Sequence, residues 1–426
     1  MMTKVGVIGG GRSYTSELLE GLIERRDILG LDKICLMDIN GERLEILGAL
    51  GNRMIAKAGA NISLESTQDV KTAVEGASFV VTQFRAGGMQ ARIRDEKLGL
   101  RHGIVGQETT GVGGFAKSLR TIPILLDVAH KMEEHAPDGW LINFTNPAGI
   151  ITEAALKHSK QKVIGLCNIP IGYIMDAAKG LGCSPASVSL DYVGINHLSW
   201  VRGCTVDGED RFADFLKIGE KEFLDEKDAV GEAMAAWTRF HGILPNYYLQ
   251  YYYCTKLVLE KLRKKDKTRG EEVIAVEEEL FKKYADPNLQ EKPKELEQRG
   301  GAFYSTAAVN LIESLVTDKQ DIQIVNLQNN GTVPELPPQV SVEVPCRITK
   351  EGPVPLEQRP LEPEIRGILQ VVKAYEELTV EAAAKGDRRS ALLALATHPL
   401  VRQVAEIEGI LDEILEENRD YLPQFK

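Results

Sequence analysis

Cys167 and His197 are the residues whose side chains best suit metal chemistry. Each follows a predicted strand, at residues 163–166 and 192–193, and the two lie thirty residues apart. A thiolate and an imidazole together suit a divalent transition metal. Two protein ligands leave coordination positions open for substrate and water, which is typical of a catalytic rather than a structural site. The residue types alone leave open the alternative that both are ordinary buried core residues.

A glycine cluster at residues 9–11 ends a predicted strand at 4–9 and precedes a predicted helix at 16–26. Glycines at this place allow a tight turn and let the backbone approach a pyrophosphate at the helix N-terminus. The third glycine of the GxGxxG pattern would fall at Tyr14, so the helix cannot pack there in the usual way. The cluster favours a dinucleotide site, with a structural turn in another α/β fold as the alternative.

An acidic residue, Asp38, ends the next predicted strand at 33–37. A carboxylate at this position accepts hydrogen bonds from the ribose hydroxyls of NAD. The same carboxylate would repel the 2′-phosphate of NADP, and Arg43 lies one helical turn further on. The order of strand, glycines, helix and acid therefore predicts NAD rather than NADP.

Two segments of the second half have a composition that suits a substrate site. Residues 247–253 are rich in tyrosine, and a charged run covers residues 261–272. Most of the tyrosine rings are expected to pack in a core or an aromatic interface. The charged run is either a solvated surface or, at Arg269, a guanidinium for an anionic substrate group. The residue types alone do not decide between the two.

The first 200 residues alternate short β-branched runs with longer helical patterns, which indicates βαβ units and a parallel sheet. Strands are predicted at residues 4–9, 33–37, 79–84, 140–144 and 163–166, and helices at 16–26, 42–58 and 115–135. After residue 190 the pattern predicts antiparallel strands at 192–193 and 200–206 and helices at 217–240, 273–284, 363–385 and 400–417. Prolines predict a loop at 286–297 and a connector at 352–363.

These elements predict an α/β fold with two parts. A Rossmann-type doubly wound parallel sheet is followed by a mixed α+β second domain, the arrangement of lactate and malate dehydrogenases. Residues 1–170 would form the NAD-binding domain, and residues 171–426 the catalytic, substrate-binding and oligomerisation domain. Polar and glycine residues follow each strand of the first half, where open α/β sheets bind their ligands.

The composition excludes several classes of protein. The 426 residues are 43% hydrophobic and 27% charged, which is ordinary for a globular chain. No apolar run reaches the roughly 18 residues that span a bilayer, and we expect neither a signal peptide nor a membrane partner. A formal net charge of −11 makes nucleic acid an unlikely ligand on electrostatic grounds. Six dispersed cysteines without a CxxC pair do not form a disulfide framework.

Nine segments together resemble the family 4 glycoside hydrolases, an NAD- and metal-dependent group that acts mostly on phosphorylated glycosides. They are GGGRSYT at 9–15, FRAGGM at 84–89, RIRDE at 92–96, GQET at 106–109, NFTNP at 143–147, GLCN at 165–168, GINH at 194–197, YYLQYYY at 247–253 and RGGA at 299–302. The segments run in the family's order and cover most of the chain. Within the family, the sequence looks most like the 6-phospho-β-glucosidases.

The resemblance implies roles for particular residues. The family holds its divalent metal, usually manganese, with the Cys and His of these motifs, here Cys167 and His197. It uses a tyrosine of the Tyr-rich motif as the base, a role that we assign to Tyr248. The residues implied to bind NAD are Gly9, Gly10, Gly11, Ser13, Tyr14, Asp38, Arg85 and Asn146. The residues implied to bind substrate are Arg94, Asn146, Asn168 and Arg269, the last at the 6-phosphate.

The resemblance also implies a mechanism that differs from the two-carboxylate route of most glycosidases. NAD⁺ takes a hydride from C3 of the sugar, and the ketone makes the proton on C2 acidic enough for a side-chain base. The metal, bridging the C2 and C3 oxygens, stabilises the enediolate as a Lewis acid. Elimination expels the aglycone from C1, water adds, and the hydride returns to C3, so NAD is recycled. A tyrosine base, with an unperturbed pKa of about 10, needs a nearby cation such as this metal.

Three other functions stay open at this point. The family also contains 6-phospho-α-glucosidases and α-galactosidases; α-specific relatives tend to have an Asp at the position of Asn168, so this Asn favours the β type. A lactate/malate-type NAD dehydrogenase needs a histidine with an acid partner and a substrate arginine, and it leaves Cys167 and His197 unexplained. A non-enzymatic nucleotide sensor would not require Cys167, His197 and Tyr248 to converge.

The family also implies the partners of this chain. The substrate is expected to be a phosphorylated disaccharide or an aryl glucoside phosphate. Such substrates arise in cells that phosphorylate sugars during uptake, so a cytoplasmic protein is expected. A homodimer or homotetramer is expected on the same ground, and the predicted helix at 400–417 has an apolar face that suits either an interface or its own domain.

Overall fold

A computed structural model describes residues 3–299, 303–401 and 404–425. Its strands are Thr3–Ile8 (β1), Leu31–Met37 (β2), Ser63–Thr67 (β3), Phe79–Thr82 (β4), Trp140–Asn143 (β5), Lys162–Gly165 (β6), Val188–Ile195 (β7), Leu198–Val206 (β8), Glu209–Asp210 (β9), Leu244–Pro245 (β10), Ile322–Gln328 (β11), Ser341–Thr349 (β12) and Gly352–Pro355 (β13). Its helices are Thr15–Glu24 (α1), Arg26–Leu29 (α2), Gly41–Lys57 (α3), Val70–Val74 (α4), Gly88–Arg101 (α5), Gly111–His135 (α6), Ala148–His158 (α7), Asn168–Leu181 (α8), Phe212–Asp225 (α9), Ala229–His241 (α10), Gln250–Tyr253 (α11), Thr255–Arg263 (α12), Arg269–Tyr284 (α13), Tyr304–Thr317 (α14), Pro363–Lys385 (α15), Arg388–Thr397 (α16) and Ile407–Glu417 (α17).

The central sheet has the strand order β13-β12-β11-β6-β5-β4-β1-β2-β3. The strands from β1 to β6 pair in parallel, in the order 3-2-1-4-5-6 of a doubly wound nucleotide-binding sheet. This confirms the predicted fold class. The strand order reverses between β1 and β4, and this switch point opens a crevice at the carboxyl ends of the strands.

Apolar runs form the interior of this sheet. Val5, Val80, Val81 and Ile142 on β1, β4 and β5 have no solvent-accessible surface. Strands that are buried on both faces need such near-continuous apolar sequences, which is typical of parallel sheets covered by helices. Each run stops at a polar residue or a glycine, so the first polar side chains after the strands meet at one edge.

The antiparallel hairpin predicted after residue 190 is present as β7 and β8, which are longer than predicted. Strands β9 and β10 pair with β8 and complete a second, four-stranded sheet. The predicted helices at 16–26, 42–58, 115–135 and 273–284 correspond to α1, α3, α6 and α13, with shifted ends, and the helix predicted at 363–385 is α15, with the same bounds.

Two helix predictions and one connector were wrong in part. The single helix predicted at 217–240 is divided into α9 and α10, because Lys227 has a φ of 53° and Asp228 caps the new helix by accepting from the backbone N–H of Val230 and Gly231. The helix predicted at 400–417 begins only at Ile407. Part of the predicted proline connector is the edge strand β13, since an edge strand tolerates prolines.

Strands β11, β12 and β13 were not predicted, and they extend the central sheet in antiparallel fashion from β6. Residues after 170 therefore contribute to the same sheet as the nucleotide-binding strands. The domain division at residue 170 stays a prediction. Among the described residues, no helix is both long and apolar enough to cross a membrane.

A buried ion cluster joins α7 to α15. The ammonium group of Lys373 lies 2.7 Å from a carboxylate oxygen of Glu153 and 2.5 Å from one of Glu376. The side chains of Lys373 and Glu153 are each 1% exposed. Because the two carboxylates are screened from water, they depend on this one cation for compensation.

We expect Lys373→Met to lower the free energy of unfolding by about 3–5 kcal/mol, because it leaves two buried carboxylates without a cation. Urea-induced unfolding measures this loss. The matched control is Lys385→Met on the same helix, whose side chain is 65% exposed and pairs with Glu381; its unfolding midpoint should not change. Equal midpoints for the two variants would contradict the buried-cluster interpretation.

Candidate active site

A cleft of about 910 Å³ lies at the carboxyl edge of β1, β4, β5 and β6. One wall consists of residues that closely follow these strands: Arg12, Gln83, Phe144 and Asn168. The other wall comes from the second half of the chain, including Tyr247, Tyr248, Tyr251, Lys265, Lys267 and Arg269. This is the edge at which open α/β sheets bind ligands.

The glycine turn after β1 has no room for side chains. Gly9 has a φ of 94°, and a Cβ atom there would lie 2.7 Å from the backbone nitrogen of Phe84. A Cβ atom on Gly11 would lie 2.8 Å from the carboxylate of Asp38, which accepts the Gly11 backbone N–H at 2.9 Å. A Cβ atom on Gly10 would lie 2.8 Å from that of Leu36. Only glycine fits at these positions, and a bare backbone next to a strand-end carboxylate suits a dinucleotide.

Ser13 and Tyr14, both predicted to bind NAD, have different surroundings. Ser13 is buried and does not line the cleft; its hydroxyl donates to Glu277, and its carbonyl accepts from the phenol of Tyr284 at 2.7 Å. Tyr14 lines the cleft, and the guanidinium of Arg299 lies 5.0 Å from its ring centroid. The residue that stands in place of the third glycine therefore belongs to the cleft wall.

Three arginines surround one buried carboxylate beside the glycine turn. Arg12, Arg43 and Arg299 approach Glu277 at 3.7, 3.3 and 3.0 Å. Burial acts to raise the pKa of Glu277, but the arginines outweigh it and lower the pKa to about 2. Burial lowers the pKa of Arg12 to about 10, so this guanidinium stays charged at neutral pH. Three cations and one carboxylate leave two positive charges at this end of the cleft, which suits an anionic ligand.

A second carboxylate, Glu108, pairs with three cations at the centre of the cleft. Arg85 forms a short contact with it, Arg92 lies 3.2 Å away and Lys117 lies 2.8 Å away. These cations overcome the effect of burial and hold the pKa of Glu108 well below its usual range. Burial, with repulsion from Arg85, lowers the pKa of Lys117 to about 7.

Sequence reasoning assigned no role to Glu108, Arg92 or Lys117, although all three line the cleft. Glu108 and Arg92 stand inside two of the recognised motifs, which was the available signal. Arg94, predicted to bind substrate, does not line the cleft. Because residues two apart on a helix point in nearly opposite directions, α5 turns Arg92 into the cleft and Arg94 away from it.

Cys167 and His197 lie together beneath the cleft wall. The sulfur of Cys167 is 3.7 Å from Nε2 of His197, and each residue is 7% exposed. Cys167 is the N-cap residue of α8, two residues after the end of β6, and His197 is the second residue of the two-residue turn between β7 and β8. His197 has a φ of 66°, a strained backbone conformation that clusters at functional sites.

The geometry of this pair fits a shared metal ion. Two ligands bound to one ion by bonds of about 2.3 Å (sulfur) and 2.1 Å (nitrogen) lie roughly 3.5 Å apart. Burial and the nearby Lys117 lower the pKa of His197 to about 3, so its imidazole is neutral, as a ligand must be. In the described ranges, no group of three or more His, Cys, Asp or Glu side chains forms a metal cage.

The thiol of Cys167 is not a thiolate by itself. Burial and the carboxylate of Glu343 raise its pKa to about 12, against opposing hydrogen bonds from the backbone of Ile169 and the side chain of Asn196. A bound divalent cation deprotonates a coordinating thiol outright. Metal binding at this pair would therefore release a proton.

Tyr248 stacks on His197. The two ring centroids are 3.9 Å apart, and the planes differ by 1°. Tyr248 also lines the cleft, and its backbone N–H donates to the Asn246 side chain at 2.9 Å, which fixes the short turn that presents the ring. Burial and the charge of Glu108 raise the pKa of Tyr248, while Arg92 opposes this rise.

The structure separates the other tyrosines of the 247–253 cluster. Tyr247 is exposed at the cleft mouth, and Tyr251 lines the cleft beside Tyr248. Tyr252 faces His398, and Tyr253 stacks on Trp237. Among the described rings, Tyr248 is the member of the cluster that contacts His197.

The predicted substrate residues Asn146, Asn168 and Arg269 all line the cleft, and so does Arg85. Arg269 begins α13 directly after its capping residue and pairs with Glu272 at 3.1 Å. Lys265 and Lys267 line the same mouth of the cleft. Of the last recognised motif, RGGA, residues 300–302 lie outside the described residues.

Known proteins resemble this chain along nearly its whole length. A model of the family 4 glycosyl hydrolases matches residues 4–183, and a model of the C-terminal domain of that family matches residues 192–401. A probable 6-phospho-β-glucosidase of Bacillus subtilis is 44% identical, with 99% of this chain and 98% of the relative covered. A phospho-α-glucosidase of Clostridium acetobutylicum is 29% identical, with 97% of each covered.

Solved structures show the same fold. The structure of a 6-phospho-β-glucosidase from Thermotoga maritima, in a form with manganese, NAD⁺ and glucose 6-phosphate, has a TM-score of 0.90 and 36% identity, covering 98% of this chain and 99% of that one. A malate dehydrogenase from Plasmodium falciparum shares the fold alone, with a TM-score of 0.54 and 15% identity over 90% of this chain and 99% of that one. Because both halves match the models of one family in chain order, the chain belongs to family 4 of the glycosyl hydrolases.

Proposed function

We propose that this chain hydrolyses 6-phospho-β-glucosides to glucose 6-phosphate and the free aglycone, with NAD and a divalent metal as cofactors. The observation that supports this most is the stack of Tyr248 on His197 at the wall of a cleft that is also lined by Arg12, the residue directly after the glycine turn. In this arrangement the base, the metal-binding pair and the nucleotide-binding turn would all act on the same bound sugar.

The two cofactors would supply the chemistry that side chains lack: NAD would accept the hydride from C3 of the sugar, and the metal would act as a Lewis acid at the C2 and C3 oxygens. Asp38 and the glycine turn would hold NAD, with Arg12 and Arg299 beside its phosphates. Cys167 and His197 would hold the metal, manganese by analogy with the family.

Tyr248 would take the proton from C2 of the sugar at its phenol oxygen. Its pKa is raised by burial and by Glu108, so the phenol keeps its own proton until a cation lies near it. A cation held by the adjacent Cys167–His197 pair would lie within the same site, and it would make Tyr248 basic only in the loaded enzyme.

The 6-phosphate would lie at the basic mouth of the cleft. Among the described residues, Arg269 pairs with the half-exposed Glu272 alone, so its guanidinium is available to an anion. Lys265 and Lys267 add positive charge at the same mouth. A planar guanidinium suits bidentate recognition of a phosphate group.

The β configuration is favoured over the α configuration for two reasons. Asn168 lines the cleft directly after Cys167, where α-specific relatives tend to have an Asp. The chain is also 44% identical to a relative with a β-type name and 29% identical to one with an α-type name. A 6-phospho-α-glucosidase is the second candidate.

A lactate- or malate-type dehydrogenase is disfavoured by the placement of the histidines. The histidines that contact a carboxylate in the described ranges, His102, His135 and His158, do not line the cleft.

We further propose that the protein is cytoplasmic, where its phosphorylated substrates arise. A homodimer or homotetramer formed through residues 171–426 completes this proposal, and the 83% exposed side chain of Phe240 on α10 is consistent with an interface there.

Replacement of Cys167 by Ser should lower kcat/KM for an aryl 6-phospho-β-glucoside by at least about 10²-fold, because one of two metal ligands is lost. Assays with NAD⁺ and titrated Mn²⁺ measure this effect. The control is Cys204→Ser, at a buried cysteine outside the cleft, which should keep the activity. Full activity in the Cys167 variant, or in the wild-type protein after complete chelation, would refute the metal assignment.

Hydrolysis in D₂O should place deuterium at C2 of the released glucose 6-phosphate, because the base exchanges the proton that it removes. Tyr248→Phe should lower kcat by about 10²–10⁴-fold and abolish this exchange. Tyr253→Phe, which changes a ring stacked on Trp237, is the control. Deuterium at C2 at the wild-type rate in the Tyr248 variant would assign the base to another residue.

Arg269→Ala should raise KM for the phosphorylated glucoside about 10- to 100-fold with a smaller change in kcat, because a charge-assisted contact to the phosphate is lost. Lys264→Ala, in the same basic run but outside the cleft lining, is the matched control. Equal KM values for the two variants would mean that the 6-phosphate binds elsewhere.

A further inference from the structure

Glu343 on β12 is a buried carboxylate behind the Cys167–His197 pair. The residue is 1% exposed. Three neutral groups donate hydrogen bonds to it: the phenol of Tyr192 at 2.6 Å, the amide of Asn326 at 2.8 Å and the amide of Asn196 at 3.1 Å. Burial raises the pKa of Glu343, and these three donors oppose that rise because they favour the ionised form.

Glu343 differs from every other fully buried carboxylate in the described part of the chain. The others each form an ion pair with a lysine or arginine; they are Asp95, Glu96, Glu153, Glu277 and Glu376. Glu343 forms no ion pair with a described residue, and no basic group acts on it. Because ionising a buried carboxyl group without a counter-charge is expensive, Glu343 would carry its charge only when a cation binds nearby.

A hydrogen-bonded connection links Glu343 to the metal-binding pair. The side-chain amide of Asn196 donates to Oε1 of Glu343, and the same side chain hydrogen-bonds to Cys167. Asn196 also precedes His197 in the turn between β7 and β8. One amide therefore contacts the carboxylate and the thiol, and it belongs to the turn that presents the imidazole.

We propose that Glu343 is a positioning residue for the divalent metal: it orients Cys167 through Asn196 and supplies the second negative charge that balances the ion. This inference rests on the proposed metal site. The thiolate contributes one negative charge, the carboxylate contributes one and the imidazole contributes none, so their sum of −2 matches a divalent cation. Partners behind the ligands tune metal affinity in this way in many metal sites.

The substitution Glu343→Gln removes the charge and keeps the shape. The amide of the substituted side chain needs a hydrogen-bond acceptor. The side-chain oxygen of Asn326 is buried without a hydrogen-bond partner among the described residues. It can accept from the new amide if the Asn326 amide group rotates. The variant is therefore expected to fold. Because no basic group compensates Glu343 in the metal-free protein, a neutral side chain of the same shape predicts a Tm of the metal-free protein that is equal to or higher than that of the wild type.

The decisive measurement is Mn²⁺ affinity of the full-length protein, read from the EPR signal of free Mn²⁺ during titration. Glu343→Gln should weaken Mn²⁺ binding about 10- to 100-fold and leave NAD⁺ binding unchanged. The matched control is Glu153→Gln, whose side chain is also 1% exposed but pairs with Lys373. That control should lower Tm and leave the Mn²⁺ affinity unchanged, which is the opposite pair of effects.

A structural role for Glu343 would give a lower Tm with wild-type Mn²⁺ affinity, and this result would overturn the proposal. If the Gln variant does not fold, Asn196→Ala decides the matter, because it cuts the connection and keeps the carboxylate. Wild-type Mn²⁺ affinity in that variant would also overturn the proposal. If Cys167→Ser binds Mn²⁺ as tightly as the wild type, the metal site itself is wrong. If Cys167→Ser loses Mn²⁺ affinity but the Glu343 and Asn196 variants keep it, the metal site stands and the role of Glu343 fails.

Discussion

Charged side chains that are buried at the carboxyl edge of the sheet must be compensated, and this requirement organises the cleft. Glu277 gathers three arginines beside the glycine turn, and Glu108 gathers two arginines and a lysine at the centre. The Glu277 hub leaves an excess of positive charge, which suits the phosphates of a dinucleotide. Glu343 has no basic group beside it among the described residues, and it lies behind the pair where a cation is proposed to bind.

Backbone constraints then hold the reactive groups with little freedom. Gly194 before the β7–β8 turn cannot take a side chain, since a Cβ atom would lie 2.4 Å from the carbonyl oxygen of Leu198. His197 in the same turn has a φ of 66°, and Cys167 caps α8. Strain in the turn and the fixed helix end together hold the thiol and the imidazole 3.7 Å apart. Such preorganisation of the two side chains suits the binding of a metal ion between them.

The predictable features of this protein were those with a local cause. Parallel strands follow from apolar runs, and the Gly9–Gly11 turn and Asp38 follow from their order after two strands. The antiparallel extension by β11–β13 was missed because its pairing with β6 joins residues about 160 positions apart, Gly165 and Asn326. The choice of Arg92 over Arg94 depended on how α5 is rotated against the cleft, which a motif does not encode.

The sequence by itself determined the family, the nucleotide-binding half, the acidic residue Asp38 after the second strand and the candidates Cys167, His197 and Tyr248, because each depends on residue types at local positions. Only the tertiary structure decided which groups meet: the stack of Tyr248 on His197, the carboxylate hubs Glu108 and Glu277, and the unpaired Glu343 behind the metal-binding pair. The physical reason is that burial and charge compensation are properties of neighbours in space, and those neighbours come from distant parts of the chain.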